Sequence, residues 1–277
     1  MDLALIQTAL ELGLICSLTV LALFLSYSMP NVCDLSTDGC FTLGAAVGAV
    51  VALSGHPFLA LLAAMGAGIC SGFVTALLQT RMGVDSLLAG IIVNTGLYSI
   101  NIAVMGGSSL LNMNKTDTVF TKAKALLEGT FLAEQYKLCV AVIAVALGVS
   151  FLALFLRSRL GLAIRATGDN PDMVRSSSIN PAFTTIVGLC VANAFTGLSG
   201  CLLAQCQKSV SIDIGTGMVT IALASLLMGQ VLLGKGSILK PALGLVVGAF
   251  AFRLVYTIDL RLAMPCPFYT LDDAHHL

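Results

Sequence analysis

The 277-residue chain carries 14 basic and 14 acidic residues, a formal net charge of +0, and only 10% of its residues are charged. With 57% hydrophobic residues and a mean hydropathy of +0.97, it cannot build the water-facing surface of a soluble domain, which carries about 25% charge. The neutral balance also excludes nucleic acid as a partner, because phosphates demand a basic face.

Several segments exceed the roughly 18 apolar residues that span a bilayer core. Their backbone groups must be satisfied internally, so the spans are helices. The expected fold is all-α: a polytopic transmembrane bundle of about eight spans in the cell (inner or plasma) membrane, some of them short or broken. We place the spans at 3–28, 39–54, 58–80, 86–106, 138–156, 182–206, 218–233 and 242–257.

Met1-Asp2-Leu3 lacks the positive start of a cleaved signal peptide, so the first span is expected to be retained. It contains Glu11. Asp34 and Asp38 precede the second span, which is short enough to be a broken or re-entrant helix. The fourth span holds Asn94 and Asn101, the sixth Asn193 and the seventh Gln230. A charge or amide within a span must find partners away from lipid, so these seven residues are the candidates for a solute path. Bridging between helices is the alternative reading for the amides, and a place near the membrane interface for Glu11. Nine cysteines show no paired spacing, and Cys70, Cys139, Cys190 and Cys201 lie in apolar runs. They read as small buried hydrophobes. Asn114-Lys115-Thr116 matches a glycosylation triplet.

Glycine pairs four residues apart, Gly44/Gly48, Gly68/Gly72 and Gly244/Gly248, clear one helix face for a neighbour, within one subunit or across a dimer seam. Segments 39–73 and 215–252 each read as a short helix, a proline-bearing turn (Pro57, Pro241) and a glycine-spaced helix, which suggests an inverted repeat.

The stretch 157–181 breaks the hydrophobic pattern. Four of the 14 basic residues, Arg157, Arg159, Arg165 and Arg175, fall there. Gly161 and Gly168 are expected to permit turns, Asn170 to cap a short helix with Pro171 at its first position, and Asp172 to lie near the positive helix end. Ile179-Asn180-Pro181 is expected to stop it. Such a helix can transmit force from a soluble motor; an ordinary basic loop explains the charge equally well. Arg81, this stretch, and Lys235 with Lys240 fall on one face when the spans alternate, which the positive-inside rule makes cytoplasmic. Lys208 and the loop 107–137 fall on the other, and the N-terminus lies outside.

Gly161-Leu162-Ala163-Ile164-Arg165-Ala166-Thr167-Gly168-Asp169-Asn170-Pro171, followed by Ile179-Asn180 and a glycine-bearing helix, resembles the cytoplasmic signature of ABC importer permeases of the branched-chain amino acid and ribose type. The run 34–46 with Leu88-Ala89-Gly90-Ile91, Leu97-Tyr98-Ser99-Ile100-Asn101 and Met105-Gly106-Gly107 is similar to the same family, most of all to its tryptophan or tyrosine importer branch. The resemblance covers about residues 5–258. It implies a single permease domain over 1–263, with Arg165, Gly168, Asp169, Asn170, Pro171 and Asp172 in a segment that docks on a separate ABC ATPase subunit. It further implies an extracytoplasmic substrate-binding protein, a pore between two copies, no cofactor and no metal. The solute would be a small molecule, an amino acid by the branch resembled. Residues 264–277 depart from the family's pattern and read as an atypical polar tail, with His275 and His276 solvated.

Gly229 to Ser237 nearly matches a phosphate-binding loop, but Gly236 stands where a magnesium-binding hydroxyl is needed. The chain is thus expected to be a transport subunit without a nucleotide site or enzyme activity of its own. Ion-coupled secondary transport, with Glu11 or the Asp34/Asp38 pair as relay, is the alternative.

Overall fold

A computed structural model describes residues 3–27, 34–114, 116–127, 135–233 and 239–262. Among the described residues eleven helices and two short strands follow in chain order. They are α1 (Leu3–Tyr27), α2 (Thr37–Leu53), α3 (Pro57–Thr80), α4 (Ser86–Val104), β1 (Leu110–Asn112) and α5 (Val119–Leu127). Then come α6 (Tyr136–Arg157), α7 (Arg159–Asp169), α8 (Pro171–Ser176), α9 (Pro181–Gln207), β2 (Ser209–Ser211), α10 (Met218–Leu233) and α11 (Leu239–Leu262). All eight expected spans are helices, with ends displaced by a few residues. Helices α1, α3, α4, α6 and α9 are long and apolar enough to cross a membrane. The chain is a multi-pass, all-α membrane protein.

Burial separates the spans. In α1 and α9, 72% of the apolar window is buried, against 28–33% in α3, α4 and α6. The first two form the axis; the others turn broad apolar faces outward, toward lipid. This corrects the reading of the cysteines: Cys201 is buried, but Cys70 is exposed and Cys139 and Cys190 are half-buried, because they sit on peripheral helix faces.

In lipid no hydrophobic force holds helices together, so close van der Waals packing must. A Cβ at Gly44 on α2 would strike the Gly197 carbonyl on α9. One at Gly197 would lie 2.5 Å from the Ala64 carbonyl on α3. Gly68 and Gly72 likewise rest against the Asn193 and Leu189 carbonyls, and Gly229 and Gly248 let α10 meet α11. The glycine pairs thus close contacts within one chain. Along α9, Gly44 and Gly48 advance with Gly197 and Cys201, so α2 is parallel to it; Gly72 and Gly68 meet Leu189 and Asn193 in the reverse order, so α3 is antiparallel.

The segment 107–137, expected as loop, contains β1 and α5. β1 pairs antiparallel with β2, Leu111 opposite Val210. Gln205 adds a second tie, accepting from the Val119 N–H at 2.9 Å and donating to the Pro57 carbonyl at 3.3 Å. These contacts put Lys208 and the 107–127 segment on one face of the bundle, as alternating spans require. Residues 264–277, Lys115 of the glycosylation triplet, and Lys235 with Gly236 and Ser237 lie outside the described residues; Gly229 to Leu233 are helical.

Replacing Gly197 with leucine should therefore lower the thermal midpoint of the detergent-purified protein sharply, since overpacking a tight contact costs about 1–3 kcal/mol or more. Leucine at Gly66, where a Cβ meets nothing within 4 Å, should leave the midpoint nearly unchanged in the same thermal-shift assay.

Candidate functional site

Two helices begin inside the bundle. α2 has 17 residues and α10 has 16, so each is about 24–26 Å long, less than the roughly 30 Å hydrocarbon core. The start of α2 lies beside the midpoints of its neighbours. The Cys40 thiol donates to the Asn193 carbonyl at 3.4 Å, and Gly39 packs on Asn94 and Leu97. α2 reaches one membrane face at its C-terminal end, near Pro57. The chain after β2 runs back along α2 to Gly215, which packs on the Asp38 carbonyl. There α10 starts, and it leaves α2 to pack on α11 and α1.

First-turn N–H groups of a helix have no partner within the helix. Here two carboxylates supply acceptors. Asp38 takes the Gly217 N–H at 3.1 Å and the Val219 N–H at 2.8 Å, capping α10 from across the junction. Asp34, buried, takes the Ser36 N–H at 2.9 Å and the Asn193 amide at 2.9 Å. Its carbonyl accepts from the Thr37 hydroxyl at 2.8 Å. Each carboxylate sits at the positive end of a helix dipole, where negative charge is favoured. Thr75 of α3 joins through Ser36 at 3.3 Å, and Asn101 of α4 donates to the Gly39 carbonyl at 3.2 Å. The Oδ1 atoms of Asn101 and Asn193 are buried without a hydrogen-bond partner among the described residues.

Of the seven path candidates, the fold gathers Asp34, Asp38, Asn101 and Asn193 at this junction, with Asn94 half-buried beside Gly39. It does not bring in Glu11, which is buried in α1 and accepts from Gln7 at 3.3 Å. Nor does it bring in Gln230, exposed near the end of α10.

The second feature is the elbow 158–181. It was expected as loop with one short helix; it is two helices. Ser158 caps α7 by accepting the Gly161 N–H at 3.2 Å, a signal legible as a hydroxyl residue just before a periodic run. Gly161 and Gly168 lie inside α7 and make no turn; Gly161 is needed because a Cβ would strike the Phe155 carbonyl. Asn170 caps α8 as expected, accepting from Asp172 and Met173 N–H, both at 3.1 Å, with Pro171 in the first turn. α8 ends at Ser176, before Ile179: Ser178 takes a φ of +60°, and Asn180 caps α9 instead.

α7 is amphipathic. Gly161, Ile164 and Thr167 face inward, and Thr167 shares a 2.9 Å hydrogen bond with Thr184 of α9. Arg165, Asp169, Asn170 and Asp172 face solvent, and Arg175 pairs with Asp172 at 3.4 Å. Leu160, Leu162 and Met173 are exposed among them, Met173 at 67%. The motif from Arg165 to Asp172 does not include these apolar residues as docking candidates, because only the helix phase shows which side chains point away from the bundle.

A multi-pass helical bundle built round two short helices that start inside it, with an amphipathic elbow on one face, has the architecture expected of a membrane permease. The chain belongs to the family described as branched-chain amino acid transport system / permease component, whose model matches residues 5–269. Over 253 residues it is 31% identical to a tyrosine transport system permease protein of Clostridioides difficile, covering 91% of this chain and 82% of that one. It is 28% identical over 265 residues to an uncharacterized protein of Rickettsia prowazekii, covering 93% and 88%. It is 27% identical over 223 residues to the ribose import permease protein of Escherichia coli, covering 78% and 67%. No solved structure matches the chain at a significant level.

Removing the Asp38 carboxylate leaves two part-buried N–H groups without their acceptor. Asp38→Ala should lower stability by about 1–2 kcal/mol and expose 212–219 to protease. Asp38→Asn, which keeps one acceptor oxygen, should fall between the variant and the parent in a thermal-shift and limited-proteolysis comparison.

Proposed function

We propose that this chain is the permease subunit of a binding-protein-dependent ABC importer, forming with a second copy the path for a small zwitterionic solute, an amino acid of the tyrosine kind. The likeness to the tyrosine permease supports the solute class. So does a junction that offers amides and capped carboxylates rather than a cluster of free charges. Residues 1–263 act as one permease domain, a separate ATPase supplies the energy, and a soluble binding protein delivers the solute at the face carrying β1 and β2. The chain performs no covalent step.

The observation that carries this reading is the elbow. Leu162 and Met173, exposed beside Arg165, Asp169 and Asp172, give a mixed apolar and charged face of the kind that docks a soluble partner. It is stiffly joined to the spans at both ends, through Ser158 below α6 and through Thr167–Thr184 at α9. Movement of a docked motor would pass directly into α6 and α9. Asp34, Asp38, Asn94, Asn101 and Asn193 are the proposed lining of the path; Glu11 and Gln230 have weaker claims by their positions.

Replacing Asp169–Pro171 by Gly-Ser-Gly removes the Asn170 cap and unhinges α8. That variant should insert into the membrane normally yet lose co-purification of the ATPase, or uncouple hydrolysis from uptake. Met173→Asp, on an exposed position, should weaken ATPase association tenfold or more without changing the thermal midpoint. Unchanged association in both would refute the elbow's role.

Energy source gives a separate test. In vesicles holding permease and ATPase, labelled tyrosine delivered by the binding protein should be taken up with ATP present after proton and sodium gradients are collapsed. Gradient-driven uptake by the permease alone would instead support ion-coupled transport.

A further inference from the structure

A cavity of about 960 Å³ opens sideways between α3 and α6, with α9 as its floor and α5 across one end. α6 and α9 both pack on α1, and beside the cavity they meet through the Phe151 and Phe195 rings, 5.8 Å between centroids. The lining is aliphatic and aromatic: Phe58 and Ile69 on α3, Leu147 and Phe151 on α6, Phe195 on α9. Among the described residues Lys122 of α5 is the one charged side chain in it. Its ammonium lies 6.0 Å from the centre of the Phe58 ring, within reach of a cation–π contact. No carboxylate pairs with it among the described residues.

The chemistry of these walls selects the occupant. An amino acid would bury its ammonium and carboxylate against groups that cannot answer them, which costs several kcal/mol. A helix of a second copy would cover the apolar walls, but among the described residues the spans offer it no free acid, since Glu11 and Asp34 are buried and Asp38 is engaged at the junction; the exposed Asp117 and Asp213 lie outside the spans. The dimensions suit an acyl chain. Along α6 the walls run from Val140 to Phe151, about 16 Å at 1.5 Å per residue, which matches half of the roughly 30 Å hydrocarbon core. Lys122 stands at the end nearest the β1–β2 face, because α5 is tied there by the Val119–Gln205 hydrogen bond.

We propose that this cavity is a binding site for one anionic glycerophospholipid of the leaflet on the β1–β2 side, its acyl chain between α3 and α6 and its phosphate on Lys122. The lipid fills the groove between α3 and α6 and fastens α5 to the bundle. The site needs neither the ATPase nor a transported solute, so it stands or falls independently of the importer reading.

The chain contains no tryptophan, so a single one is a clean reporter. Leu147→Trp places it on the cavity wall, at a position 67% exposed, and Ile143→Trp gives a second wall position. Val231→Trp, at an 84% exposed position on α10, is the control. The full-length permease is reconstituted in phosphatidylcholine vesicles and titrated with brominated phosphatidylglycerol or brominated phosphatidylcholine, and fluorescence quenching is read. At both wall positions phosphatidylglycerol should bind about fivefold more tightly, the preference a single lysine confers at a membrane surface. Adding Lys122→Gln should abolish that preference while leaving folding intact. The α10 control should show none.

Equal affinity for the two lipids at the wall reporters would overturn the proposal, as would a preference that survives Lys122→Gln or that appears equally on α10. Wall reporters shielded from both lipids, with the α10 control still quenched, would assign the groove to a second copy of the chain instead.

Discussion

Gly217 and Val219 begin a helix within the bundle, where no bulk water can take up their N–H groups. An unsatisfied backbone group in such surroundings costs several kcal/mol. The Asp38 carboxylate meets both, and Asp34 does the same for Ser36 at the start of α2. The inward starts of the two short helices, the return of the chain along α2 after β2, and the meeting of α2 with α10 all depend on these two side chains. They also bring negative charge to two helix N-termini, which offsets part of the cost of burying it.

Around that junction the bundle is held by the absence of side chains as much as by their presence. Gly44, Gly68, Gly72 and Gly197 let α2, α3 and α9 approach backbone to backbone, the contact that substitutes for a hydrophobic driving force in lipid. The lateral cavity lies where α3 and α6 make no such contact, walled by Phe58 and Ile69 on one side and Leu147 and Phe151 on the other.

The elbow shows how a local signal gains meaning from its surroundings. Asn170 before Pro171 specifies a cap whatever the context, and α8 starts there. Gly161 and Gly168 look like turn formers by residue type, yet both are helical. Gly161 is fixed by the sharp bend at Ser158, which folds α7 back onto the Phe155 carbonyl six residues earlier. Met173 and Leu162 gain their interest from exposure alone.

The sequence by itself determined the class of the protein. Apolar runs of sufficient length and 10% charge leave helical spans in a bilayer as the available fold, and the ordered motifs from Asp34 to Pro171 carry the family resemblance. Local rules also placed the Asn170 cap and the shortness of α2 and α10. Only the tertiary structure decided what the intramembrane polar residues do. Glu11 and Asp34 look alike in sequence, each an acid in or beside an apolar run, but Glu11 bonds within its own helix and Asp34 binds Asn193, 159 residues away. The position of a helix start in the bundle, and the partner that satisfies it, arise from contacts between distant segments. Periodicity along the chain is blind to them.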